Sequence, residues 1–316
     1  MSNFIFSINA VLPVFLVMAV GYILRVKGKV TEEFCNVAND INFKVTLPAL
    51  LFMDMSNTDI RKEFDTEFVL YCAIVTIICF TVIWLLAKIF IKDKSIIGAF
   101  VQGSFRGSAA VLGIAFIQNI YGNAGMAPMM IIGAVPLYNI FSVVVLTLEA
   151  NDTENMNRKE HIKKACINIC KNPIILSILA GVIVSLLRID FPVVIDKTIE
   201  NIAKLATPLA LLIIGATFEG KKAIARIKPT VVGAAIKLFV QPAVFLPIAV
   251  AMGFTDEKLM TVLIMLGSPT TPSSYIMAKA MKNDETLTSS MIVTTTLFSA
   301  VSMTLWVFAL RTIGVM

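Results

Sequence analysis

Charge is scarce in this sequence. Of its 316 residues 15% are charged, against about 25% in an ordinary soluble protein, while 57% are hydrophobic. There is one histidine, and the five cysteines are scattered: Cys35, Cys72, Cys79, Cys166 and Cys170. An odd, scattered set gives no disulfide framework. Cys166 and Cys170 stand four apart with His161 nearby, but a tetrahedral zinc needs more ligands than this segment supplies. The sequence has no paired Asp, no HExxH and no Ser/His constellation, so neither an enzyme nor a metal or cofactor is expected. The net charge of +6 is spread over many short connections, which does not suit nucleic-acid binding.

Long apolar runs take the place of charge. Ten segments stand out, roughly 4–26, 34–55, 67–91, 95–121, 123–147, 173–188, 192–218, 229–253, 257–281 and 287–311. Most have the length of a helix that crosses a bilayer. They predict an all-α polytopic membrane protein with ten transmembrane helices and almost no soluble domain. The first run is too long for a cleavable signal peptide and lacks its basic start, so it reads as the first span. Seventeen Lys and Arg fall in the odd-numbered connections or at the span ends beside them, and five in or beside the even ones and the C-terminus. Basic residues stay inside, which predicts a cytoplasmic membrane protein with both termini outside.

The longest connection, 149–172, separates five spans from five. It divides the chain into a first repeat (1–148), a cytoplasmic connecting loop (149–172) and a second repeat (173–316). An odd number of spans per half inverts the second half, as in many secondary transporters. INFKVTLPALL at 41–51 and IAKLATPLALL at 202–212 share Ile, Thr, Ala, Leu and Leu at an offset of 161. The same offset brings the interruption GSFRGS of span four to within about one helical turn of GSPTTPSS in span nine.

Both interruptions lie where a membrane helix should be continuous. Irregular backbone at that depth is tolerated only where it is buried in protein or lines a wet cavity, and paired broken helices point to a transporter's binding site. Thr271 is expected to cap the second half-helix of span nine, with Pro272 at its first position, and Ser108 to cap that of span four. Half-helix N-termini at mid-membrane favour an anion, while the carbonyl ends beside them could hold a cation. Arg106 costs roughly 2.5–3.5 kcal/mol at such a depth. Two roles stay open for it: contact with the anion, and support of carbonyls freed by the break. Lys44 and Lys237 read as side chains snorkelling to an interface, and Gln102 and Asn139 as interhelical hydrogen-bond partners.

INFKVTLPALLF (41–52), QGSFRGSAAVLGIAFIQNIYG (102–122), PLYNIFSV (136–143), ATPLALLIIGATF (206–218) and GSPTTPSSYIMAKAMKNDETLTSSMIVTTTLFS (267–299) resemble the auxin efflux carrier family, which includes bacterial permeases associated with malate and malonate. The resemblance covers nearly the whole chain. It implies two inverted five-helix repeats, like the fold of sodium/proton antiporters, with broken helices 4 and 9 crossing at the substrate. It also implies a scaffold domain and a transport domain. The expected substrate-binding residues are Arg106, Ser108, Asn139, Pro269, Thr270, Thr271, Ser273 and Ser274, supported by Asn42, Gln102, Gly107 and Pro272. The family commonly has Asn where this chain has Ser108, so substrate identity does not transfer. The expected function is a secondary transporter of a small organic anion, a carboxylate, working by alternating access. A cation/proton antiporter needs carboxylates at the crossing, and spans four, five and nine hold none apart from Glu257 at the very start of span nine; it and a non-transporting ligand sensor are the alternatives. A coupling proton or cation and a homodimer are left open.

Overall fold

A computed structural model describes residues 2–57, 65–109, 117, 126–150 and 166–316. Among these residues every regular element is helical. The chain opens with α1 (Ser2–Val26) and α2 (Glu32–Ile41), which passes through a π-helical segment, Asn42–Thr46, into α3 (Leu47–Ser56). There follow α4 (Thr66–Phe90), α5 (Ile97–Phe105), α6 (Ala127–Leu148) and α7 (Pro173–Leu187). Next, α8 (Val193–Lys204) and α9 (Ala206–Thr217) meet at Leu205. After the short α10 (Gly220–Ala225), α11 (Ile227–Ala235) continues through a second π segment, Ile236–Val240, into α12 (Gln241–Ala251). The chain closes with α13 (Asp256–Gly267), α14 (Ser273–Ala280) and α15 (Glu285–Thr312). Helix is thus found within each of the ten apolar stretches. Among the described residues, five helical stretches are long and apolar enough to cross a membrane: Thr66–Phe90, Ala127–Leu148, Val193–Thr217, Ile227–Ala251 and Glu285–Thr312.

Local sequence sets the helix starts. Thr31 accepts from Phe34 N–H at 3.1 Å, Asp65 from Phe68 N–H at 3.0 Å, and Asp284 from Leu287 N–H at 2.7 Å. Asn172 caps α7 with Pro173 at its first position, where the missing N–H costs nothing. Besides its buried apolar core, the protein exposes many large apolar side chains and buries polar ones. Leu70, Ile74, Leu85, Ile89 and Phe90 of α4 point outward, while Gln102, Ser104, Asn139, Ser142 and Thr295 are buried.

Several interfaces come in similar pairs. α1 packs on α9, and α3 on α7. α4 packs on α6 as α11 packs on α15; α4 meets α5 as α12 meets α13; and α5 touches α6 as α13 touches α15. The α1–α9 contact is backbone against backbone. A Cβ on Gly21 would strike the Leu212 carbonyl, and one on Gly215 the Met18 carbonyl.

Ion pairs tie the connections together at both ends of α4. Before its start, Asp65 pairs with Lys258 at 2.5 Å. Beyond its end, Arg226 bridges Asp93 and Asp284, each at 2.8 Å, and so joins the approaches to α5, α11 and α15. The Lys258 ammonium, then the Phe68 N–H, hold the Asp65 carboxyl below the usual range. The Ser95 hydroxyl and, more weakly, Arg226 do the same for Asp93. Cys166 and Cys170 are free and exposed; His161 lies outside the described residues.

Candidate functional site

α5 stops at Phe105 because Arg106 takes up extended backbone, φ −90° and ψ 128°. α13 stops at Gly267 with Ser268 likewise extended, φ −66° and ψ 151°, and helix resumes at Ser273. Ser268 precedes Pro269, and proline steers the residue before it away from helical geometry. The two gaps touch: Ser108 N–H donates to the Pro269 carbonyl at 2.8 Å.

A helix leaves its last carbonyls without internal partners, and here side chains supply donors. For α5, the Gly103 carbonyl accepts from Thr270 Oγ1 at 2.7 Å, Ser104 from Gln241 Nε2 at 2.5 Å, and Phe105 from Lys237 Nζ at 3.5 Å. For α13, the Met265 carbonyl accepts from Tyr138 OH at 3.0 Å and from Lys237 Nζ at 3.2 Å. The expectation that Lys237 snorkels is therefore corrected. It sits in the second π segment, is fully buried, and finds its acceptors at the two breaks instead of at an interface. Lys44 does lie at the surface, paired with Asp40 at 2.8 Å.

Arg106 is 4% exposed. Its Nη2 donates to Asn139 Oδ1 at 2.7 Å and to Ser273 Oγ at 2.8 Å. Its Nη1 lies 3.5 Å from Ser142 Oγ and 2.8 Å from Met277 Sδ. These partners are neutral side chains of α6 and α14. Carbonyl support at the break falls to Thr270, Gln241 and Lys237.

A cavity of about 100 Å³ opens beside the guanidinium. Arg106, Gly107, Ser108, Pro269, Thr270, Thr271, Pro272 and Ser273 line it from the breaks, and Asn139 from α6. α3 adds Leu47, Leu50, Leu51 and Asp54. Three expected residues lie elsewhere. Asn42 Nδ2 donates to the Ala206 carbonyl at 3.0 Å, tying the first π segment to α9. Gln102 Nε2 lies 3.6 Å from Met277 Sδ. The Ser274 hydroxyl is buried without a hydrogen-bond partner among the described residues.

Thr271 does not cap α14. Its hydroxyl pairs with Ser273 Oγ at 3.1 Å, and α14 has no side-chain cap. Pro272 is already helical, φ −56° and ψ −29°, so the Thr271 and Pro272 carbonyls take the N–H groups of Ser274 and Tyr275. The cap expected from Ser108 falls on residues 110–116, outside the described residues.

Ser142, Lys237, Gln241 and Asp54 are the site's unforeseen members. The first three carried a signal: Ser142 lies three residues after Asn139, and Gln241 four after Lys237, spacings that share a helix face.

With apolar side chains outside, polar groups along its seams and a small cavity where two interrupted helices touch, the chain has the architecture of a membrane transporter. Sequence comparison gives the family. The chain belongs to the membrane transport protein family, the auxin efflux carrier family, whose profile matches residues 6–307. It is 22% identical over 319 residues to the uncharacterised transporter YfdV of Escherichia coli K12, covering 98% of this chain and 99% of that one. A Rhizobium meliloti protein named "Putative malonate transporter" is 22% identical over 306 residues, 95% of each chain. An uncharacterised transporter of Methanocaldococcus jannaschii is 22% identical over 305 residues, 94% of this chain and 97% of the relative.

Proposed function

We propose that this protein is a secondary transporter that moves a small carboxylate across the cytoplasmic membrane by alternating access, with the anion bound beside Arg106 between the two helix breaks. One observation carries this reading. A buried guanidinium borders a cavity, and its bonded partners among the described residues are all neutral. A buried charge is costly until it is paired, and a bound carboxylate supplies the opposite charge in the planar geometry that guanidinium prefers. Ser108, Asn139, Thr270, Thr271 and Ser273 offer neutral hydrogen-bonding groups around the same space.

The proposed architecture is two inverted repeats, 1–148 and 173–316, joined by the segment 149–172, with both termini outside. The paired interfaces support it: exchanging the first five spans with the last five turns the α1–α9 contact into α7–α3, and α4–α6 into α11–α15. The test is uptake of radiolabelled mono- and dicarboxylates, malonate included, into liposomes holding the purified protein. Saturable uptake of at least one acid is expected; none across the panel would remove the carboxylate reading.

Asp54 favours a second reading, a cation/proton antiporter, because it puts a carboxylate on the cavity wall. Proton flux driven by an imposed sodium gradient, without any organic anion, would establish it.

A further inference from the structure

Lys237 is a second buried cation, and it does not line the anion cavity. Its side chain is 0% exposed. The ammonium lies 3.2 Å from the Met265 carbonyl, 3.5 Å from the Phe105 carbonyl and 6.0 Å from the centroid of the Tyr138 ring. None of the ion pairs among the described residues includes it. It therefore has as close partners the carbonyl ends of two different half-helices, one from each half of the chain.

Those ends carry partial negative charge. In transporters with interrupted helices, unwound carbonyls and half-helix C-termini coordinate the coupling Na⁺ or H⁺. Here an ammonium of the chain already stands there. Gly107 leaves it room, because a Cβ at that position would come within 2.9 Å of Nζ. Gln241, one turn further along the helix, fills the neighbouring Ser104 carbonyl. The donors a free cation would replace are covalently attached.

We infer that Lys237 is a tethered cation occupying the place of a mobile coupling cation at the junction of the two interrupted helices, so that anion transport requires no sodium. The inference rests on the transporter reading but not on the identity of the anion. The ammonium is a positioning group: it holds the two gaps in register without touching substrate.

The test uses the purified full-length protein. Thermal unfolding midpoints are compared in choline, sodium, lithium and potassium chloride at equal ionic strength. The wild type should unfold at the same temperature in all four. Lys237→Met keeps a long apolar chain but removes the charge, takes the ammonium from the Phe105 carbonyl and leaves the Met265 carbonyl with Tyr138 OH alone. Its midpoint should fall by roughly 5 °C in choline and recover in part, saturably, with sodium or lithium. Lys237→Arg keeps a cation and should stay indifferent to sodium. Malonate uptake by wild-type liposomes should be the same with and without sodium, and Lys237→Met should lose roughly tenfold or more in choline.

Sodium-specific stabilisation of the wild type would overturn the inference, as would a folded Lys237→Met that gains nothing from any alkali cation. If Lys237→Met does not fold, the wild type and Lys237→Arg decide: sodium-specific stabilisation of either is fatal. The unfolding measurement contains no substrate, so it can succeed even if no carboxylate is moved. Carboxylate uptake driven by a sodium gradient would sink this inference and leave the transport reading standing.

Discussion

At the scale of single residues, two buried cations divide the work at the breaks. Lys237 addresses backbone carbonyls, and Arg106 addresses side chains and the cavity. Arg106→Gln removes the charge and the fork, while Arg106→Lys keeps the charge alone. A hydrogen bond to a charged group contributes about 1.5–3 kcal/mol. Arg106→Gln should therefore raise the half-saturation for a transported carboxylate roughly ten- to hundredfold, with Arg106→Lys in between. Uptake kinetics check this; an unchanged KM in a folded Arg106→Gln would leave the guanidinium a structural part only. Arg106 was legible in the sequence because a cation in mid-span is costly. Lys237 was misread because sequence does not reveal that a π segment turns its side chain toward acceptors supplied from 28 and 132 residues away.

At the scale of elements, the interruptions were legible and their chemistry only partly so. The Pro269–Pro272 spacing marked the gap in span nine, and the Gly and Ser residues around Arg106 marked the one in span four. The cap was not legible. Thr271 competes with the backbone for the N–H groups of α14, and the outcome depends on how the chain turns at Pro272. Pro272→Ala frees that turn to extend α14 backward across the gap and should abolish most carboxylate uptake with membrane insertion intact. Thr271→Val removes a hydroxyl whose one partner among the described residues is Ser273 Oγ, a loss of about 0.5–1.5 kcal/mol, so uptake should fall less than tenfold. Wild-type uptake by Pro272→Ala would make the prolines packing devices.

At the scale of the whole molecule, the ten apolar runs could be read from hydropathy, whereas links between connections could not. Arg226 and Asp93 lie 133 residues apart, and no local pattern relates them. Orientation is testable through the two exposed thiols: a membrane-impermeant maleimide should label Cys166 and Cys170 in inverted vesicles and spare them in intact cells. The Asp65–Lys258 link predicts a pH response. A carboxyl held below its ordinary range contributes stability above its unfolded pKa and loses it as pH falls through the lowered folded value. The unfolding midpoint should accordingly drop in mild to strong acid, and Asp65→Asn should flatten that drop while lowering the midpoint at neutral pH. Equal acid slopes in both proteins would remove this link from the acid response.

The bridge from Arg226 to Asp93 and Asp284 occupies one end of the bundle only, and it is partly exposed. Partly exposed pairs weaken as dissolved ions screen them. If helix movements at that end must part this bridge, the protein becomes a rectifier for ionic strength. Raising salt on the face that carries Arg226 should speed turnover, and the same salt on the opposite face should leave it unchanged. Liposomes loaded and bathed at different ionic strengths, with osmolarity balanced by sucrose, separate the two faces. Arg226→Ala should turn over fast and respond to neither.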